Sequence, residues 1–251
     1  TERITQCKNE IHNILQRANI KLTSYLSDIY GITGITLLEM FIDGEVITEQ
    51  TILPKIHGKV KATAAELVEA MDGKLSFEDR FLLGQSLEHY RHSVNQVEEI
   101  TVVIKQYVLE RFEREYNLLI ELPGVSAIVA CVILSEIGPN VEAFKSQGNL
   151  ASWAGVCPGS YESAGIKKSS HTTQGNKYLK SILFQAGGTA GRSKDEAFHN
   201  LYARISGRSS KMKAIIACAH KMIRVIYKIL STGEHYDAKK ALGLRQQARA
   251  N

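Results

Sequence analysis

Proline, aromatic residues and paired cysteines are all in short supply here. The chain has 4 prolines and 1 tryptophan in 251 residues, and aromatics make up 7%. So few prolines leave long stretches in which a helix can run unbroken, and the abundance of Leu, Ile, Ala, Lys and Glu points the same way. Cys7, Cys131, Cys157 and Cys218 form no C-x-x-C pair and lie near no cluster of histidines. That spacing argues against a zinc site and reads as reduced, mostly buried thiols. No apolar run approaches the roughly 18 residues of a membrane span. Thr1-Glu2-Arg3-Ile4 matches neither a signal peptide nor a transit peptide, so a cytoplasmic location is expected. The first residue is Thr and the first helix starts without a cap, so an upstream portion is expected to be missing.

Acidic residues are scarce in one half only. Residues 1–120 hold 13 Lys/Arg against 18 Asp/Glu, a net −5, whereas residues 121–251 hold 18 against 8, a net +10. From Lys167 to Lys228 there are 13 basic residues, and the acids are Asp195 and Glu196 alone. So one-sided a field marks the second half as the part that meets a polyanion, with nucleic acid the expected partner.

Helical spacing of apolar residues predicts an all-α chain. Ile4, Ile11, Ile14, Leu15, Ile20, Leu22 and Leu26 mark a first helix, ending near Gly31. Thr33 or Thr36 is the expected cap of a short helix stopped by Gly44. A third segment (48–56) is interrupted by Pro54, and a fourth runs from Ala64 to Gly73. These form a small-helix linker region, 1–75. Ser76 followed by Asp79 is a helix-start signal, and Leu83, Leu87, Tyr90, Val94, Val97, Ile100, Ile104, Val108 and Phe112 then step by three or four. One long amphipathic, coiled-coil-like helix is therefore expected over 76–120. Its stripe can face the first helix, the same helix of a second subunit, or an ordinary core.

Leu122-Pro123-Gly124-Val125-Ser126-Ala127 precedes the apolar run 128–134 and is similar to a helix-hairpin-helix turn, whose following helix offers free N–H groups to a phosphate. Gly124, Val125 and Ser126 are thus candidate backbone contacts, with a plain packing corner as the alternative. A small helix through Leu150 carries Trp153 as an expected core residue. A Gly, Ser and Thr-rich loop follows from Pro158 to Gly175, holding Ser163-Ala164-Gly165. A serine among small residues keeps its hydroxyl uncrowded, and the glycine lets a phosphate backbone come close. Helices are expected over 176–190, 197–205 and 210–230, making 121–233 a basic helical domain, with 234–251 a polar, mobile tail.

The ordered series Leu122-Pro123-Gly124-Val125, Phe144-Lys145-Ser146, Leu150-Ala151-Ser152-Trp153-Ala154-Gly155, Pro158-Gly159, Tyr161-Glu162-Ser163-Ala164-Gly165, Gly175-Asn176-Lys177-Tyr178-Leu179 and Ala219-His220-Lys221 resembles the carboxy-terminal transposase domain of the insertion-sequence-110 family, including its 1111 branch. Ala18-Asn19-Ile20-Lys21-Leu22, Leu26-Ser27-Asp28-Ile29-Tyr30-Gly31 and Thr33-Gly34 are similar to the family's helical linker. The resemblance implies a DNA recombinase of bacteria or archaea that breaks and rejoins strands. It implies a bridge-type guide RNA, a homo-oligomer (dimer or tetramer), and Mg²⁺ held by four acids of a preceding RuvC-like domain not found in this chain. No metal ligand and no cofactor are assigned to the chain itself.

By the same resemblance Ser163 is the nucleophile. Lys167 and Lys168 would neutralise the phosphate, while Lys177 and Lys180 track the backbone. Ile166, His171, Thr173 and Gln174 stand where relatives often carry basic residues, so phosphate clamping in this loop is expected either to be weaker or to be borne by Arg192, Arg204 and Arg208 instead, with Lys211 a further candidate nucleic-acid contact. On residues alone, His220 reads as a core histidine, His171 as solvated, and Cys157 as a thiol without a base. The competing readings are a non-catalytic nucleic-acid-binding module and a dimerisation scaffold.

Overall fold

The computed structural model describes residues 2–157, 161–163, 166–169, 172 and 174–243, with the backbone course alone for 161–163 and 166–169. The described chain is helical, as its composition predicts, with one addition: a two-stranded hairpin. No described helix is long and apolar enough to cross a membrane. The chain divides into two compact units, residues 1–100 and 101–251.

Unit 1 contains α1 (Glu2–Arg17), α2 (Leu22–Tyr25), α3 (Ile32–Asp43), α4 (Glu49–Ile52), a 3₁₀ turn (Leu53–Lys55), α5 (Ala64–Ala70) and the start of α6 (Phe77–Ile120). Its core joins Ile11, Leu22, Leu37, Leu38, Ile52, Leu67, Leu83 and Leu87. The helix expected to continue from Ile4 to Leu26 is broken. Asn19 takes a left-handed φ of 58°, a conformation Asn tolerates better than most side chains. Ile20 N closes the helix end locally on the Leu15 carbonyl at 2.8 Å, and two tertiary bonds hold the break: Lys74 N donates to the Ala18 carbonyl at 3.2 Å and Lys21 N to the Ala70 carbonyl at 2.8 Å. Gly31, rather than Thr33 or Thr36, is the N-cap of α3. Thr33 is buried, and its Oγ1 accepts from His57 N at 2.9 Å.

Ser76 starts α6 as expected, its Oγ accepting from Asp79 N at 3.0 Å. The apolar stripe does not stay in the core. Leu83 and Leu87 are buried, but Val97 is 44% and Ile100 58% exposed. Helical geometry also breaks at Phe112, where φ is −138° and ψ 33°.

Unit 2 holds the end of α6, α7 (Ala127–Ile137), α8 (Gln147–Trp153), β1 (Tyr161–Ser163), β2 (Ile166–Ser169), α9 (Lys177–Arg192), α10 (Glu196–Ser206), α11 (Lys211–Thr232) and α12 (Ala238–Gly243). Helices α9, α10 and α11 pack on one another, α7 lies on α9, and α8 on α11. Leu119, Ile133, Leu150, Leu183, Phe198, Met222 and Ile226 fill the core between them. The segment after Gly233, expected to be mobile, is folded as far as residue 243. Glu121 accepts from Tyr236 N at 3.2 Å and meets His235 Nδ1 at 2.7 Å, Tyr236 Oη donates to Asp195 at 3.0 Å, and Ala241 is buried. Aromatic and small residues inside a polar stretch gave that segment a docking face.

Close packing of α9 depends on its small residues. A Cβ on Gly187 would sit 2.7 Å from the Ala219 backbone nitrogen, whereas on Gly188 its nearest neighbours are the Arg192 guanidinium at 3.6 Å and the Ile215 side chain at 3.7 Å. Neighbouring glycines should therefore respond with opposite sign. Gly187→Ala is expected to lose about 1–3 kcal/mol by overpacking. Gly188→Ala is expected to gain about 0.5–1 kcal/mol from helix propensity. Urea denaturation of the two variants checks both.

Candidate functional site

The serine segment hangs between the end of α8 and the start of α9, and local chemistry fixes both ends. Ser146 caps α8 by accepting from Asn149 N at 3.3 Å. Leu150, Ala151 and Ala154 turn inward. Trp153 sits at the edge of that face: it is 40% exposed and tilted against Phe144 at 5.3 Å between centroids, so the expected core placement is corrected. The chain then turns at Gly155, which has a φ of 69°. From the other side Gly175 closes in. A Cβ on it would lie 2.4 Å from Gly155 N and 2.5 Å from the Trp153 carbonyl oxygen, so no other residue fits without displacement.

Asn176 locks this closure. Its backbone N–H donates to the Trp153 carbonyl at 3.0 Å. Its side-chain oxygen accepts from Tyr178 N at 3.0 Å and Leu179 N at 2.9 Å, capping α9. Its side-chain NH₂ donates to Glu136 Oε2 at 2.5 Å, which ties the clamp to the last turn of α7.

Within this clamp the backbone forms the β1–β2 hairpin where a loop was expected. The strands are antiparallel, with Ser163 opposite Ile166, Glu162 opposite Lys167 and Tyr161 opposite Ser169. The register slips between Tyr161 and Glu162, which leaves Lys168 as the extra residue of β2. Ser163 ends β1, next to the two-residue connection. The side chains of Ser163, Lys167 and Lys168 lie outside the described residues, as do Ser160, Ser170 and His171.

The remaining candidates fall into separate groups. Lys177 and Lys180 occupy the first turn of α9 beside the clamp, with the Lys177 ammonium 4.9 Å from the Tyr178 ring and that of Lys180 5.9 Å from Phe184. Arg192 is at the far end of that helix, about 22 Å along its axis. Arg204 lies in the last turn of α10, Arg208 in the connection and Lys211 opens α11, so these three share one corner. All but Lys180 are exposed. Helices α8, α9 and α11 contain no Asp or Glu. Among the described residues none of Lys177, Arg192, Arg204, Arg208, Lys211 or Lys213 has a salt-bridge partner. The positive field is therefore not neutralised from within.

The Gly124-Val125-Ser126 turn has its own structural reasons. Gly124 takes a φ of 83°, and a Cβ there would lie 2.3 Å from the Ala186 carbonyl oxygen of α9. Val125 is buried. Ser126 caps α7 by accepting from Val129 N at 3.4 Å.

Cys157 is no activated thiol, since burial pushes its pKa up. Lys221, half-buried, donates to the Ala197 carbonyl at 2.8 Å, and burial lowers its pKa. Among the described residues no three His, Cys, Asp or Glu side chains converge on a possible metal position.

Residues 116–203, running from the end of α6 through the clamp and hairpin into α10, match the family described as Transposase IS116/IS110/IS902. The match is to a transposase family. Two kinds of relative agree with it. The chain is 31% identical over 157 residues to the "Putative transposase y4pF/y4sB" of Sinorhizobium fredii (strain NBRC 101917 / NGR234), an alignment covering 59% of this chain and 39% of that protein. It is 27% identical over 158 residues to the pilin gene-inverting proteins of Moraxella lacunata and Moraxella bovis, covering 61% of this chain and 48% of each. The chain thus spans less than half the length of these relatives.

Sequence reasoning missed the clamp and the exposure of Trp153. The second carried no warning, because Leu150, Trp153 and Ala154 stand at the i, i+3, i+4 spacing of a single helical face.

His220, on α11, supplies a pH test. Burial first, and the Arg224 charge second, lower its pKa below the ordinary value of about 6.5. As pH falls through that ordinary value the unfolded chain takes up the proton while the folded chain resists it. Stability therefore drops toward acid. Melting temperatures at pH 8 and pH 5.5 should show this loss in the native chain and a smaller one in His220→Gln.

Proposed function

We propose that this chain is the carboxy-terminal part of a DNA recombinase of the insertion-sequence-110 type, in which Ser163 is the nucleophile that breaks and rejoins strands. One observation carries the reading. The segment matched by the transposase family contains a serine at the tip of a hairpin, hung from a backbone clamp beside acid-free helices with uncompensated cations.

In the proposed step the Ser163 hydroxyl oxygen attacks the phosphorus of a DNA phosphodiester. The bond to the leaving strand breaks, the serine proton departs to a base or to water, and the leaving strand ends in a hydroxyl. The phosphoserine linkage conserves the bond energy until a second strand's hydroxyl attacks and releases the serine. Lys167, Lys168, Lys177 and Lys180 hold charge near the phosphate, and Arg192, Arg204, Arg208 and Lys211 extend the backbone contact. The 22 Å or so between Lys177 and Arg192 corresponds to about six nucleotides of one strand at about 3.4 Å each. A contact from the Gly124-Val125-Ser126 turn is a subordinate part of the proposal. Mg²⁺, bound by acids outside this chain, would activate the hydroxyl, a guide RNA would choose the sites, and a second copy would complete the assembly.

In the full recombinase, Ser163→Ala should abolish covalent DNA–protein adduct, read as a shifted band on a denaturing gel, while salt-dependent DNA binding persists. Strand transfer that survives this change would leave a binding module as the better reading. Lys177→Ala should weaken binding uniformly across sequences and reduce the slope of log affinity against log salt by about 1.

A further inference from the structure

Two large aromatic side chains stand exposed at the clamp, one on each of the helices it joins. Trp153 ends α8 with 40% of its surface open, and Tyr178, second residue of α9, is 60% exposed. Their backbones are fixed by the same contacts: the Trp153 carbonyl accepts from Asn176 N, and the Asn176 side chain accepts from Tyr178 N. Phe144 supports the indole from one side, and Lys177 lies over the tyrosine ring. Glu136, the carboxylate at the clamp, is engaged by Asn176. The surroundings thus combine open aromatic faces, positive charge and a rigid mount, the combination that binds unpaired nucleotides by stacking.

We infer that Trp153 and Tyr178 form a stacking platform for unpaired DNA bases next to the phosphodiester presented to the hairpin. The inference rests on the proposed recombinase reading and deepens it by naming the state of the substrate. A stacked duplex hides its base faces, so exposed rings beside the hairpin gain nothing from it. Moving a strand from one partner to another requires bases beside the cut to leave their old pairing before they enter a new one. The platform holds them in that interval.

Trp153 is the single tryptophan of the chain, so its fluorescence reports the contact directly. The chain is titrated with oligothymidylate of about 12 nucleotides, with a duplex of the same length, and with the matching oligouridylate. Saturable quenching by the DNA single strand, with weaker or no quenching by the duplex, is the expected result. Trp153→Ala and Tyr178→Ala, followed by anisotropy of labelled oligothymidylate, should each weaken binding about 5- to 100-fold. Trp153→Phe, which keeps a stacking ring, should stay within about 3-fold of the native chain, whereas a merely structural role would not separate Phe from Ala with an unchanged melting temperature. Single-strand binding without quenching, or quenching by RNA and not DNA, overturns the inference and leaves the recombinase reading standing. Failure to bind any of the three nucleic acids overturns both.

Discussion

The contact between Gly155 and Gly175 is the constraint on which the site depends. Two stretches of backbone meet there at a distance that admits no side chain, and Asn176 converts the meeting into a fixed joint by serving the Trp153 carbonyl, the first turn of α9 and the Glu136 carboxylate together. The residues between are chemically varied and rich in small polar side chains. The described strands Tyr161–Ser163 and Ile166–Ser169 lie between these two held ends. The helices on either side of that stretch, α8 and α9, are thereby joined directly, backbone to backbone.

The same reliance on small residues recurs through unit 2. Gly124 brings the turn after α6 onto the backbone of α9, and Gly187 brings α11 onto α9. Helix α9 is thus approached closely from two sides, leaving Lys177, Tyr178, Ser181, Gln185, Thr189 and Arg192 on its open face. No carboxylate interrupts that face. Its polarity suits a phosphate backbone, which accepts hydrogen bonds from cations, hydroxyls and amides alike. Charge and packing are separated on this helix: small residues bind it to the protein, and long polar ones remain for a ligand.

Much of the helical framework was legible because the signals are local. Ser76 with Asp79, Asn176, Ser210 and Gly233 each mark a boundary through bonds to their immediate neighbours. The division of charge between the halves was equally plain. What was not legible is tertiary. The break at Asn19 closes locally on Leu15 but is also held by bonds with residues 70 and 74, far along the chain. The clamp joins glycines some twenty positions apart, and neither one announces its partner. The strands Tyr161–Ser163 and Ile166–Ser169 are too short, and too rich in Lys and Ser, to show alternation. The apolar periodicity of α6 is real, yet Val97 and Ile100 are exposed, because spacing reports which residues share a face and not whether anything covers it.

The glycine content of α9 has a consequence for how the molecule comes together. Three glycines in sixteen residues make this helix about 3 kcal/mol poorer in intrinsic propensity than an alanine version. Such a segment does not persist alone; it becomes helical as α10, α11 and the turn at Gly124 close around it. The first turn of α9 is also the anchor of the serine hairpin. The hairpin is therefore without a fixed mount in any partly folded chain and acquires one only when the surrounding bundle is complete.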